Sequence, residues 1–414
     1  MLDAIRQGFE LHGFLPIETP AVERMEVLTA KGGIQRQIYS LRKPGEGGEE
    51  TGDLGLHFDL TVPLARYVAQ RAQDLTFPFR RYQMQKVWRG ERAQRGRFRE
   101  FYQCDVDIIG SGALDPMYDA EVASVIASVF RRLGLSEFTI RLSNRKVLSA
   151  VLSRWGIEGE DVQGYLRLVD KHGSRGAAAV TEALQGEGNA PPPLVELTGR
   201  LLDASNLDAA ESLLRDQGVD ASGVTELRDV EQAALRLGVA REEIEVDLAI
   251  ARGLDYYTGT VYETFLRGRE EWGSVCSGGR YDDLAGYFTD RPLPGVGVSI
   301  GLTRLLDLLV QNELIPVESP SPTQVLVAIQ DRTYLEYCLR IAATLRSAGI
   351  STEVYMQPRR LGDQLSYASS LGVPWVAIVG ASEAEEESIT LRNLGTGQQE
   401  AVPLDQLVPR VSGN

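Results

Sequence analysis

Apolar positions recur at helical spacing from the first residues: Leu2, Ile5, Phe9 and Leu11 predict an amphipathic helix over 1–13, stopped by Gly13 and Pro16. Residues 34–65 read as a hairpin followed by a helix, with GEGGEETGDLG (45–55) supplying the turn chemistry. Residues 80–109 predict two long strands around an Arg/Gly-rich loop, 115–133 a helix and FTIRLSN (138–144) a strand. From 155 to 240 Gly, Ala, Leu and charges dominate, aromatics nearly vanish and GEGNAPPP (186–193) interrupts, which predicts a small helical insertion. Strand patterns return at 244–266 and 274–281, and a glycine-spaced turn from Pro294 to Gly301 opens the helix GLTRLLDLLVQN. Beyond the linker IPVESPSPT (315–323), QVLVAI, a helix at 333–348, STEVYM, a helix at 361–371 and VPWVAIVG spell β-α-β-α-β. That predicts a C-terminal α/β domain with a largely parallel sheet, and an α+β chain as a whole.

A chain of 414 residues gives a prior of two to three domains. With 43% hydrophobic and 24% charged residues it is ordinary globular material, which excludes disordered, collagenous and fibrous classes. The net charge of −15 excludes a uniformly basic nucleic-acid binder, so any polyanion must meet a local patch. Three cysteines (Cys104, Cys276, Cys338) and three histidines (His12, His57, His172) are too few and too scattered for a disulfide scaffold or a four-ligand zinc site. No protein-held metal is predicted, and a reducing cytoplasm fits best. Neither a signal-peptide core nor a membrane span is expected.

The local patch exists. FRRYQMQKVWRGERAQRGRFR (79–99) carries Arg80, Arg81, Lys86, Arg89, Arg92, Arg95, Arg97 and Arg99 against one acid, Glu91. A solvated hairpin is the usual reading of such a run. Like charges crowded into one hairpin are costly without an anion, and guanidinium forks suit phosphate oxygens, so a triphosphate or nucleic-acid site is expected. On the outgoing strand, alternation sends Tyr102, Cys104, Val106 and Ile108 to one face and Phe101, Gln103, Asp105 and Asp107 to the other. Gln103 and Asp107 then lie roughly 13 Å apart, which sets a cation-binding end beyond a phosphate end or simply a wet face.

Three further segments are ambiguous by pattern. In ARGLDYYTGTVYE (251–263) a strand would send Tyr256 and Tyr257 to opposite faces, so at most one lines a given pocket. In SGGRYDDL (277–284) Gly278 and Gly279 permit close backbone approach, and Asp282 and Asp283 face opposite ways. In GVGVSIGLTRLLDLL (295–309) a glycine-rich turn into a helix can face an anion, although the dinucleotide-binding spacing is missing; Arg304 either pairs a phosphate or is exposed. EAEEES (383–388) reads as a solvated loop.

Taken in order, these blocks resemble the histidyl-tRNA synthetase family of class II aminoacyl-tRNA synthetases. GFLPIETP (13–20), FRRYQMQKVWRGERAQRGRFREFYQCDVDIIG (79–110) and GVGVSIGLTRLLDLL (295–309) look like the three class motifs, with Pro20 at the dimer interface. RGLDYYTGTVYE and SGGRYD look like the two more specific histidine motifs. The resemblance implies a class II antiparallel sheet core in two parts (1–154 and 241–314), the helical insertion at 155–240 and an anticodon-binding domain at 324–414.

It also implies roles. Arg89 and Arg252 would be the catalytic cations at the ATP α-phosphate, Arg304 would hold the γ-phosphate, and Glu91 and Arg97 would complete the ATP site. Asp59, Leu60, Thr61 and Gln103 would bind the amino end of histidine, together with Arg89 and Arg252. Asp107 and Tyr257 would hold the imidazole, with Tyr256 and Tyr281 nearby; a carboxylate and a phenol suit a ring that both donates and accepts. The reaction implied joins histidine and ATP, as its magnesium complex, to histidyl-adenylate and passes the histidine to the end of histidine tRNA. A cytoplasmic homodimer is implied as well.

Asp59 and Asp107 stand where many bacterial members carry Glu, and the Gly-Thr-Arg segment usual before the first helix is not found in these residues. Residues 321–414 hold seven Arg against ten acids, which leaves Arg359 and Arg360 as the adjacent cations for anticodon contact. The alternative reading is a non-catalytic, histidine-binding regulatory subunit of ATP phosphoribosyltransferase, which usually loses the ATP arginines and the tail domain. A third is a synthetase-like sensor of uncharged tRNA, which usually accompanies a kinase segment that this sequence lacks.

Overall fold

The structure is a computed structural model that describes residues 1–30, 37–42, 52–92, 94–157, 160–173, 175–251, 256–315, 321–357 and 359–413. The chain divides into two compact units, Met1–Gln311 and Asn312–Asn414. Among the described residues no helix is long and apolar enough to cross a membrane.

The first unit opens with α1 (Leu2–Leu11), β1 (Leu15–Pro16), β2 (Val22–Arg24), α2 (Met25–Leu28), β3 (Ser40–Leu41), β4 (Leu54–Leu56) and α3 (Thr61–Arg71). Of the apolar residues expected on the face of α1, Ile5 and Phe9 are buried, whereas Leu2 and Leu11 are exposed. The expected hairpin is β3–β4, to which β2 adds a third strand; most of the loop at 45–55 lies outside the described residues.

The long pair is β5 (Phe79–Trp88) and β6 (Glu100–Ile109), antiparallel over their whole length. Then come α4 (Met117–Arg132), β7 (Phe138–Asn144), α5 (Arg145–Arg154) and five helices: α6 (Glu160–Gly173), α7 (Ala177–Gly186), α8 (Pro192–Leu202), α9 (Leu207–Asp216) and α10 (Ser222–Arg236). The Pro-rich break falls between α7 and α8, and Pro192 starts α8, where the missing N–H costs no helix bond. The unit closes with β8 (Ile244–Val246), β9 (Thr260–Leu266), β10 (Cys276–Tyr281), β11 (Gly295–Gly301) and α11 (Leu302–Gln311).

Eight strands form one sheet in the order β1-β5-β6-β11-β10-β9-β7-β8, antiparallel except at the outer pairs β1/β5 and β7/β8. Pro294–Gly301 is therefore not a turn. It is a central strand, paired with β6 and β10, because Val296, Val298 and Ile300 alternate with glycine and serine. Helix α4 packs across β7, β10 and β11. There Arg280 of β10 pairs with Asp119 at 2.8 Å and donates to the carbonyls of Leu114 and Asp115. Arg280 thus braces the helix side of the sheet.

The second unit contains β12 (Val325–Ile329), α12 (Leu335–Ser347), β13 (Thr352–Val354), α13 (Leu361–Ser370), β14 (Trp375–Val379), α14 (Ala381–Glu385), β15 (Ser388–Asn393), β16 (Gln399–Pro403) and α15 (Leu407–Ser412). Its sheet order is β13-β12-β14-β15-β16. The β-α-β-α-β half is parallel as expected, and an antiparallel hairpin extends it. One core packs α12 and α15 on one face; another packs Ala368 of α13 on the other. EAEEES is not simply a solvated loop. Glu383 accepts from the Gly380 amide at 3.0 Å and from Thr390 Oγ1 at 2.8 Å, tying α14 to β15.

Candidate active site

Two cavities open on one face of the eight-stranded sheet and share a wall. The first, of about 200 Å³, is lined by Asp59, Thr61, Asp105, Asp107, Tyr256, Tyr257 and Tyr281, among others. The second, of about 500 Å³, is lined by Glu91, Arg95, Arg97, Trp272 and Arg304, among others. Arg89, Gln103, Glu263, Ser277 and Ser299 border both. One is an acid and phenol compartment and the other an arginine compartment.

Strand β6 builds the acid compartment. Its two faces separate as alternation predicts, but neither is wet: Gln103, Asp105 and Asp107 are all under 9% exposed. Asp107 Oδ1 accepts from the Tyr281 hydroxyl at 2.7 Å, and Arg81 Nη2 lies 2.6 Å from its Oδ2. Burial lifts the Asp107 carboxyl to about 6 against the pull of Arg81. Asp105 rises further, to about 7, for the same first cause. Asp59, two residues ahead of α3, accepts from the Val62 amide in the helix's first turn at 3.0 Å. Tyr256 and Tyr257 line the same cavity, their ring centres 4.8 Å apart, contrary to the expectation that at most one does so. They precede β9 in a turn, where strand alternation does not apply.

Arg89 sits at the junction. Its guanidinium stacks 4.4 Å from the Phe58 ring centre and 5.1 Å from that of Phe101. Its Nε donates to the Phe58 carbonyl at 3.3 Å and its Nη2 to Gln103 Oε1 at 3.5 Å. Gln103 in turn donates to Ser299 Oγ at 2.5 Å. Burial lowers the Arg89 pKa from its ordinary value, with Asp59 the first of the acids opposing that shift. Such a cation gains from an incoming anion.

In the arginine compartment, Arg304 near the start of α11 donates to the Gly96 carbonyl at 2.9 Å and to the Ser274 carbonyl at 2.8 Å. Arg95 stacks 4.0 Å from the Trp272 ring centre, and Arg97 lies 3.8 Å from Glu91.

The cationic hairpin is thus not one undivided anion site. Arg80, Arg81 and Lys86 are paired with Glu121, Asp107 and Glu100 respectively. Arg89, Arg95 and Arg97 line the cavities. Of the remaining expected residues, Leu60 is fully buried and does not line either cavity, and Arg252 lies outside the described residues. Residues not anticipated are Glu263, Ser277, Ser299 and Trp272. For Glu263, Ser277 and Ser299 the signal is strand alternation, since the ladder sets them on the same sheet face as Asp105; Trp272 lies outside any strand. Among the described residues no group of three or more His, Cys, Asp or Glu is arranged to hold a metal ion.

Residues 1–305 match the family described as Histidyl-tRNA synthetase, and residues 324–414 the Anticodon binding domain. The histidine–tRNA ligase of Xanthomonas axonopodis pv. citri (strain 306) is 46% identical over 434 residues, covering 98% of this chain and 90% of that protein. That of Clostridium tetani (strain Massachusetts / E88) is 43% identical over 414 residues, covering 99% of this chain and 92% of that protein. The crystal structure of histidyl-tRNA synthetase from Nostoc sp. PCC 7120 superposes with a TM-score of 0.85 at 38% identity, covering 100% of this chain and 94% of that one. A Bacillus halodurans protein, described as an ATP phosphoribosyltransferase regulatory subunit/histidyl-tRNA synthetase, shares the fold with a TM-score of 0.73 at 23% identity, over 92% of this chain and 93% of that one. Every residue that lines either compartment falls within the stretch matched at 1–305, and the chain belongs to the histidyl-tRNA synthetase family.

Proposed function

We propose that the chain is a histidine–tRNA ligase, which activates L-histidine with ATP and transfers it to the 3′ end of histidine tRNA. The observation that carries this reading is the meeting of the two compartments at Arg89. A pocket of buried carboxylates and phenols suits an amino acid whose ring donates and accepts hydrogen bonds. A larger pocket rimmed by Arg95, Arg97 and Arg304 suits a triphosphate.

In this reading the histidine carboxylate attacks the α-phosphorus and pyrophosphate leaves. Arg89, with Arg252, faces the charge developing there. Arg304, Arg97 and Glu91 hold the rest of the nucleotide, whose magnesium ion enters as part of the substrate. Asp59, Thr61 and Gln103, with Leu60 between them in the chain, meet the amino end; Asp107, Tyr257, Tyr256 and Tyr281 meet the ring. A ribose hydroxyl of the tRNA then attacks the acyl carbon and AMP leaves. No bond to the enzyme is needed, because orientation and fixed charge supply the rate.

Residues 1–154 and 241–314 would be the catalytic core, 155–240 its helical insertion and 324–414, past the 315–323 linker, the anticodon-binding domain. Homodimerisation near Pro20 and a cytoplasmic location belong to the same family reading. A regulatory subunit is less supported: Arg89 and Arg304 are present in the cleft and the C-terminal match to an anticodon-binding domain is present too.

ATP–pyrophosphate exchange with purified protein tests the proposal. Histidine-dependent exchange, lost in Arg252→Ala, is expected. Histidine binding without exchange would instead favour the regulatory reading.

A further inference from the structure

Three charges meet at the floor of the acid compartment, where Asp105 and Asp107 line it and Arg81 is buried behind them. Arg81 of β5 is 0% exposed and stands opposite Asp107 in the ladder, with Nη2 and Oδ2 2.6 Å apart. Asp105, two residues earlier in β6 and 2% exposed, projects from the same face. Arg81 is also the strongest countercharge that Asp105 feels. Asp105 Oδ1 and both Nε and Nη2 of Arg81 have no hydrogen-bond partner among the described residues, so the contact of Nη2 with Asp107 is an ion pair without hydrogen-bond alignment. The guanidinium does make a side-chain hydrogen bond from Nη1, a long one of 3.4 Å to Gln83 Oε1. A fully buried guanidinium carries a large desolvation cost and is retained where it balances buried acids. Two carboxylates therefore share one cation.

Both oxygens of Asp107 are already held from the protein side, Oδ2 by Arg81 and Oδ1 by the Tyr281 hydroxyl. A carboxylate has about four lone-pair sites, so it still accepts from a ligand, but in the orientation set by the Tyr281 hydrogen bond and the Arg81 ion pair. If the cation were removed, two buried like charges would be driven to share a proton, and Asp107 would stop acting purely as an acceptor.

We propose that Arg81 and Asp105 are a charge-matched positioning pair: Arg81 offsets one of the two carboxylates that β6 contributes and aims Asp107 at the ligand. Neither residue is required to touch the ligand. The inference rests on the reading of the acid compartment as the histidine site.

The test is a double-substitution cycle read by histidine-dependent pyrophosphate exchange. Arg81→Met should raise the KM for histidine about tenfold or more and leave the KM for ATP within about threefold. Arg81→Lys, which keeps the charge, should recover most of that loss. Asp105→Asn alone should raise the histidine KM, because Arg81 is then balanced by Asp107 alone and blunts its charge toward the ligand. Arg81→Met/Asp105→Asn removes one cation and one acid together, restores the charge balance around Asp107, and should lie closer to wild type than Arg81→Met. A merely structural role would instead make the double variant at least as poor as the product of the two single effects, and that outcome overturns the proposal. Denaturation midpoints accompany each variant. If Arg81→Met does not fold, Asp105→Asn still decides, since an unchanged histidine KM there overturns the pairing. Wild-type protein without histidine-dependent exchange would overturn the histidine reading itself, whereas active wild type with indifferent variants overturns only this inference.

Discussion

Gly297 stands opposite Asp107 across the β6–β11 ladder, and a β-carbon placed on it would lie 2.1 Å from Asp107 Oδ1. Gly295 has the same relation to Tyr281, whose ring would lie 2.4 Å from an added β-carbon. Two glycines in β11 thus hollow out the space in which the acid and the phenol hold each other. Here glycine is used for close approach rather than for a turn.

Gly297→Ala should therefore act on one compartment only. Overpacking costs about 1–3 kcal/mol of stability, visible in a denaturant midpoint. Asp107 or β11 must shift, and an ångström-scale misplacement is worth about 100-fold in rate, read here as kcat/KM for histidine. The KM for ATP should barely change. Gly301→Ala is the matched control, because its added β-carbon meets nothing nearer than 3.7 Å. Equal behaviour of the two variants would sink the argument.

Arg304 should govern the other compartment. Its guanidinium spans two carbonyls, Gly96 on the loop of the cationic hairpin and Ser274 ahead of β10. Lysine has one nitrogen where two are used here, so it cannot make both bonds in the same fork geometry. Arg304→Lys is expected to raise the KM for ATP about tenfold, the loss of roughly one charge-assisted hydrogen bond. Histidine affinity by equilibrium dialysis should be unchanged. Weaker histidine binding would mean that the two compartments are not separable at Arg304.

Most of the fold was legible because its signals are local. FTIRLSN matches β7 residue for residue, and the strands flanking the Arg/Gly loop fall within a residue or two of their expected ends. The failures have identifiable causes. Glycines at 295, 297 and 301 signal a turn when read alone; only Asp107 and Tyr281 across the ladder explain why a central strand carries two of them. Tyr256 and Tyr257 share a cavity because the chain has not yet entered β9, a boundary no periodicity marks. Arg80, Arg81 and Lys86 were indistinguishable from the cavity arginines in a charge count. Their partner acids Glu121, Asp107 and Glu100 are fixed by pairing and packing rather than by nearness in sequence.

The buried acids should leave a signature in stability. Asp105 has its carboxyl lifted to about 7 and Asp107 to about 6, both by burial. An acid whose pKa is raised on folding binds its proton more tightly in the native state. Its contribution is complete below the unfolded pKa of about 4 and is lost as pH rises through the folded value. Stability attributable to these two groups therefore falls between roughly pH 4 and pH 7. Asp105→Asn removes the larger share of that fall. Urea midpoints across the same window should show the variant gaining on wild type as pH rises. A difference that is flat or runs the other way would show that burial does not raise the Asp105 pKa on folding.

The second unit offers a separation of steps. Gln364 on α13 is 0% exposed; its Oε1 accepts from the Ile329 amide at 3.0 Å. Its Nε2 donates to the carbonyls of Ile329 at 2.7 Å and Arg359 at 2.9 Å. One buried amide thus joins the end of β12 to the segment that carries Arg359 and Arg360. Gln364→Leu would orphan three backbone groups, each worth about 1–3 kcal/mol when left buried and unpaired. The unit should be destabilised, and the arginine pair should lose its fixed position. Every residue lining the two compartments lies in Met1–Gln311, so pyrophosphate exchange should stay near wild type. Charging of histidine tRNA should fall, through a raised KM for the tRNA. Gln364→Glu sharpens the comparison, because it keeps the shape and one acceptor but places an acidic group against the Arg359 carbonyl. If exchange and charging fall together in both variants, the second unit supports the first one's fold rather than holding tRNA.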